Sequence, residues 1–133
     1  MIEIIKKMKN DFLIISFIGK DDKLGLMINK EFFIHNLDSK KIDKQIISDI
    51  LNFLKYHNVK LDKNFSVIIN QGPGSFSSIR ISLAVAKGLK ISKKIQLFGY
   101  KNNDLKEFNQ ENVEKLVNQN LIEKKLIKPI YLS

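Results

Sequence analysis

The residues best suited to chemistry lie in one stretch, Asn70-Gln71-Gly72-Pro73-Gly74-Ser75-Phe76-Ser77-Ser78-Ile79-Arg80. A glycine-rich turn that opens a helix can hold phosphate on its free backbone N–H groups. Here, however, no Lys-Ser/Thr pair follows the second glycine, so the Walker pattern is missing, and the spacing is not G-x-G-x-x-G. Ser75 and Ser77 have no His or Lys in the same motif to act as a base, which argues against an activated serine. The remaining reading is mechanical. Gly72 and Gly74 flank the fixed φ of Pro73 and let a strand reverse sharply into a helix, with Ser75 or Ser77 capping that helix. Arg80 stands in the first turn, free to reach a carboxylate or a phosphate.

Other reactive side chains are isolated. His35 and His57 lack partners at ligand or triad spacing. Asp21-Asp22 has no second acidic cluster with which to share a metal, and reads as a solvated turn. Tyr56, Tyr100 and Tyr131 are scattered and form no stacking platform for single-stranded nucleic acid. With no cysteine, thiol catalysis, disulfides and Cys-ligated zinc are excluded. The expectation is no catalytic residue and no metal site.

The elements that position the glycine turn follow from hydrophobic patterning. Residues 11–18 form a buried strand, and Gly19 to Lys23 a turn. Residues 24–29 and 31–35 form two more strands, joined by a hairpin at Asn29-Lys30. After a break with capping residues at Asp38 and Ser39, a helix runs from Ile42 to about His57. Its wide apolar face has one stripe of Ile42, Ile46, Ile50 and Phe53 and an adjacent one of Ile47, Leu51 and Leu54. Residues 65–70 are a strand, 77–90 a second helix and 95–98 a strand. Residues 104–108 and 110–119 are short helices, and residues 125–132 an extended tail held to an edge by Pro129. In the second helix Ser78, Ser82 and Ala86 recur every four residues, a stripe of small side chains that allows close packing. The order β-β-β-α-β-α-β predicts an α/β fold with a mixed sheet, similar to the ribonuclease-H-like lobe of actin-type proteins.

The 133 residues suffice for one domain. No apolar run is long enough to span a membrane, and no signal peptide is visible, so the expected location is the cytoplasm. The formal charge of +9 comes from 23 basic against 14 acidic residues, which raises the alternative of a basic tRNA-binding module. But 22 of the 23 basic residues are lysine, and isoleucine and asparagine are frequent. That bias follows A/T-rich codons rather than selection for a phosphate-binding face. Against this background Arg80, both alanines and three of the six glycines fall within Gly72 to Gly88, where backbone or packing resists the drift.

The same stretch resembles the signature of the TsaB (YeaZ) family, close to G-P-G-S-F-T-G-L-R-I-G-L-A-x-A-K-G-L. The matching positions are Gly72 to Phe76, Arg80, Ile81, Leu83, Ala84 and Ala86 to Leu89. The ending Ile127 to Leu132 is similar to the family's P-x-Y-L. The resemblance implies an actin-like lobe over residues 1–108, with 109–133 as a short helix and tail left of a second lobe. It further implies a non-catalytic subunit of the complex that makes N6-threonylcarbamoyladenosine at tRNA position 37. Its partners would be a TsaD-like catalytic subunit and a TsaE-like ATPase, with tRNA reached through the complex and homodimers compatible with the isolated chain. ATP and threonylcarbamoyl-AMP would be handled by those partners, with no cofactor on this chain alone. The partner-binding faces would be Ile42, Ile46, Ile50 and Phe53 on the first helix and Ser78, Ser82 and Ala86 on the second. Departures are Ser16-Phe17 in place of the family's Asp-Thr, Ser77-Ser78 for Thr-Gly, and Ser82 for a glycine. The alternative to the subunit reading is a nucleotide-binding domain that uses the Gly72 to Ser75 turn.

Overall fold

The computed structural model describes residues 11–37, 43–124 and 130. Five strands, β1 (Phe12–Ser16), β2 (Lys23–Ile28), β3 (Glu31–Asn36), β4 (Ser66–Asn70) and β5 (Gln96–Tyr100), form one sheet in the order β3-β2-β1-β4-β5. The first three strands are an antiparallel meander, whereas β1, β4 and β5 run parallel. Asn29 and Lys30 both take positive φ, 50° and 69°. That geometry matches the twist of a two-residue hairpin and places the reversal where the sequence predicts it. Parallel strands require crossovers. α1 (Asp43–Tyr56) links β3 to β4, and α2 (Phe76–Lys93) links β4 to β5. A 3-10 turn (Asn102–Asp104) and α3 (Gln110–Asn118) follow.

The period-2 alternation of the strands builds two cores. Leu13, Ile15, Leu24, Leu26, Val67, Ile69 and Leu97 face Ile46, Ile50 and Leu54 of α1 and Ala86 and Leu89 of α2. Phe12, Ile14, Met27, Ile68, Phe98 and Tyr100 face Val113, Leu116 and Val117 of α3, with Leu105 and Ile122. The result is three layers, and α3 belongs to the same unit as the sheet. Gly25 makes room on the second face. A Cβ there would collide with the Phe32 ring and lie 2.8 Å from Ile14 Cγ2.

Element ends shift for local reasons. β1 stops at Ser16 because the Ile18 N–H donates to a side chain, Asp22 Oδ1, rather than to a strand. α2 runs past Lys90 until Lys94, at φ 63°, donates its N–H to the Lys90 carbonyl. The helix predicted over 104–108 is only the 3-10 turn. Leu105 is extended, at φ −123° and ψ 113°, and its side chain enters the second core. The predicted caps at Asp38 and Ser39, residue Ile42, and the tail apart from Ile130 lie outside the described residues.

Candidate functional site

β4 ends on Asn70, which is buried at 1 % exposure and ties three strand ends together. Its Oδ1 accepts from the Gly72 N–H at 2.9 Å. Its Nδ2 donates to Ser16 Oγ at 3.2 Å, at the end of β1, and to Asn102 Oδ1 at 2.9 Å, after β5. The rest of the turn is stitched by backbone. The Gln71 N–H donates to the Tyr100 carbonyl, the Asn102 N–H to that of Gly72, the Ile130 N–H to that of Gln71 and the Ser75 N–H to that of Ile18, at 2.6–2.9 Å. The N–H groups of Gly72 and Ser75, which a phosphate would need, are therefore engaged within the chain.

The glycines answer to close approach. Gly72 sits at φ 101°, and a Cβ on it would strike the Ile130 carbonyl; one on Gly74 would lie 2.8 Å from the Ile18 carbonyl oxygen. Ser75 occupies the N-cap position of α2 but makes no side-chain cap bond. Its Oγ lies 3.3 Å from Ser77 Oγ instead.

The helix faces require a correction. Ile46 and Ile50 are 1 % and 0 % exposed, and Ser78, Ser82 and Ala86 are likewise buried. All five point into the chain itself, so they have no surface to offer a partner. Ser82 Oγ donates to the Ile79 carbonyl at 3.0 Å, which satisfies it inside the core. Phe53 is half-buried beneath His35 and His57, with ring centroids 5.5 Å and 5.1 Å away. The outward face consists of Ile47 and Leu51 on α1 and of Phe76, Arg80, Ala84, Gly88 and Ile91 on α2. The Arg80 guanidinium lies 5.0 Å from the Phe76 ring centroid, and a Cβ on Gly88 would meet open space. The sequence signal for this face was the second stripe of α1, which is as apolar as the first. On α2, Ala84 and Gly88 are small residues spaced by four, just as Ser78 and Ser82 are.

No protein-family model matches the chain. The tRNA threonylcarbamoyladenosine biosynthesis protein TsaB of Buchnera aphidicola subsp. Acyrthosiphon pisum is 34% identical over 89 residues, 64% of this chain and 40% of the relative. TsaB of Buchnera aphidicola subsp. Schizaphis graminum is 35% identical over 83 residues, 59% of this chain and 39% of the relative. Among solved structures, YeaZ from Pseudomonas aeruginosa superposes with a TM-score of 0.61 at 16% identity, over 69% of this chain and 44% of that one. Over the matched residues the chain is similar to TsaB proteins. It spans about two fifths of the length of the curated TsaB relatives it matches, and its lobe has the YeaZ fold.

Within this TsaB-like lobe the acidic turn is not solvated. Asp22 is 3 % exposed. Its Oδ1 accepts from the N–H groups of Ile18, Gly19 and Lys20 at 2.9, 3.0 and 3.2 Å, while Oδ2 is buried without a partner. Burial pushes its carboxyl above the usual value, against the pull of the three N–H donors. Nothing in the sequence separates Asp22 from the exposed Asp21. Burial also raises the Tyr100 hydroxyl, which lies beside Ser16 and Asn70 but lacks a hydrogen bond of good geometry. The histidines pack on aromatic rings, His35 on Phe53 and His57 on Phe33 at 4.4 Å. Among the described residues no group of His, Asp and Glu is arranged to hold a metal, and no helix is long and apolar enough to cross a membrane.

Proposed function

We propose that this chain serves in the biosynthesis of N6-threonylcarbamoyladenosine at position 37 of tRNA as a non-catalytic subunit. In this reading it docks a TsaD-like catalytic subunit in the cytoplasm, with a TsaE-like ATPase in the same complex and tRNA contacted through it. ATP and threonylcarbamoyl-AMP are then handled by those partners. The observation that carries the role is the similarity to two curated TsaB proteins. The docking surface rests on the paired outer faces of α1 and α2. Ile47 and Leu51 are 40 % and 46 % exposed, and Phe76 and Ile91 are 55 % and 74 % exposed, with Ala84 and Gly88 in the row between the last two. Large apolar side chains left in solvent beside small ones suit a helix packed across them. A nucleotide site in the Gly72 to Ser75 turn is disfavoured, because the Gly72 and Ser75 N–H groups are already bonded.

Co-expression with the cognate TsaD is the direct test. The expected result is a complex that co-elutes in gel filtration and is lost in the Ala84→Arg and Ile91→Asp variants, while Lys60→Ala has no effect. Deletion is expected to remove threonylcarbamoyladenosine from digested tRNA. A strain that keeps the modification, together with a chain that does not bind TsaD, would overturn the reading.

A further inference from the structure

Between α1 and β3, an outer strand of the sheet, lies a cavity of about 380 Å³. It is lined by His35 of β3, by Asp49, Asn52, Phe53 and Tyr56 of α1, and by His57 just beyond that helix. Residues 49, 52, 53 and 56 recur at helical spacing and share one face of α1. At roughly 100° per residue, that face is turned away from Ile47 and Leu51. The cavity is therefore separate from the outer apolar stripe.

Four rings meet here. His35 stacks on Phe53, with 28° between the ring planes. Phe53 and Tyr56 stand nearly perpendicular to His57, at 84° and 83°, with centroids 5.1 Å and 5.0 Å away. Rings at right angles form corners that present π faces to a rounded group from two sides. Such faces attract a cation through the ring quadrupole, whereas a planar guanidinium stacks flat on a single ring. Tyr56 is 81 % exposed, so its ring can turn onto a ligand without leaving a core. Charge points the same way. The chain carries +9 overall, yet the described residues that line this cavity include one carboxylate, Asp49, and no lysine. The volume suits a small group.

We infer that this cavity binds an alkylammonium group, held against the rings of Phe53, Tyr56 and His57 with Asp49 as its counter-charge. This goes beyond the subunit reading and does not depend on it, since it gives the chain a ligand of its own. Titration of the full chain with choline at constant ionic strength, followed by the aromatic NMR signals of His35, Phe53, Tyr56 and His57, tests it. Saturable shifts centred on these rings are expected. The uncharged isostere, in which carbon replaces the ammonium nitrogen, should bind more than about fivefold more weakly, because it keeps the shape without the charge. Trimethyllysine amide, titrated in parallel, separates the sources: tighter than choline, it points to a protein side chain, and looser, to a free small molecule. Tyr56→Ala and Asp49→Asn should each weaken choline binding about two- to fivefold, the size of an exposed cation–π contact or ion pair. Tyr56→Phe keeps the ring and should bind as wild type does. Glu111→Gln removes an exposed carboxylate on α3 and should change nothing. Shifts that never saturate overturn the inference. So does equal affinity for the isostere, which would mean a merely apolar cavity, or an equal loss in Glu111→Gln, which would mean diffuse attraction.

Discussion

Asp22 shows how a residue can be read correctly by type and wrongly by role. In the sequence it is half of an exposed acidic pair; in the fold it is the acceptor that closes the β1–β2 turn. Its folded carboxyl titrates above the usual value near 3.8, so the folded state holds the proton more tightly than the unfolded chain. The associated stabilisation is complete below that usual value and is lost as pH rises through the folded one. Thermal melts should therefore show wild-type stability falling from about pH 3 toward neutrality relative to Asp22→Asn. Parallel curves for the two proteins would mean that Asp22 does not titrate in this way. Gly74 gives a second prediction at this scale. Because its Cβ position crowds the Ile18 backbone, Gly74→Ala should cost about 1–3 kcal/mol in denaturant unfolding, the usual penalty of overpacking.

At the level of the element, α1 tests the difference between inward and outward stripes. Ile50 is fully buried between sheet and helix, so Ile50→Ala should destabilise the fold by about 2–5 kcal/mol. Leu51, one residue on, is 46 % exposed. Leu51→Ala should change stability by less than about 0.5 kcal/mol while weakening capture of TsaD in a pull-down. If both variants behave alike in chemical unfolding, the assignment of faces is wrong. The existence of α1 was legible from its apolar period, and so was its end before Asn58, which takes φ 54°. Which stripe turns inward was not, since both carry isoleucine and leucine and only the sheet's position selects one.

For the molecule as a whole, β1 and β4 feed both cores. Leu13 and Val67 point to one face, and Phe12 and Ile68 to the other. Neither core can be lost without disrupting strands that serve the other, so unfolding should be one cooperative transition. Calorimetric and van't Hoff enthalpies should then agree; a separate early transition in the Leu116→Ala variant would show that α3 melts alone. The charge of +9 acts at this scale as well. Spread over lysines, it should give the isolated chain only tRNA binding that collapses steeply with salt.

What the sequence determined by itself is the order of the five strands and the two crossover helices, the Asn29-Lys30 hairpin, the turn after β4 and the TsaB-like signature. These depend on local preferences: apolar period, positive φ and the fixed geometry around Pro73. Tertiary structure alone decided which side of each helix is covered and that the Gln71 and Ser75 amides are engaged by the Tyr100 and Ile18 carbonyls. It also decided that Asp22 and Tyr100 are buried and that His35 of β3 meets Asp49, Phe53 and Tyr56 of α1 at one cavity. Those facts depend on contacts between residues far apart in the chain, such as Asn70 with Ser16 and Asn102, and no local pattern encodes them.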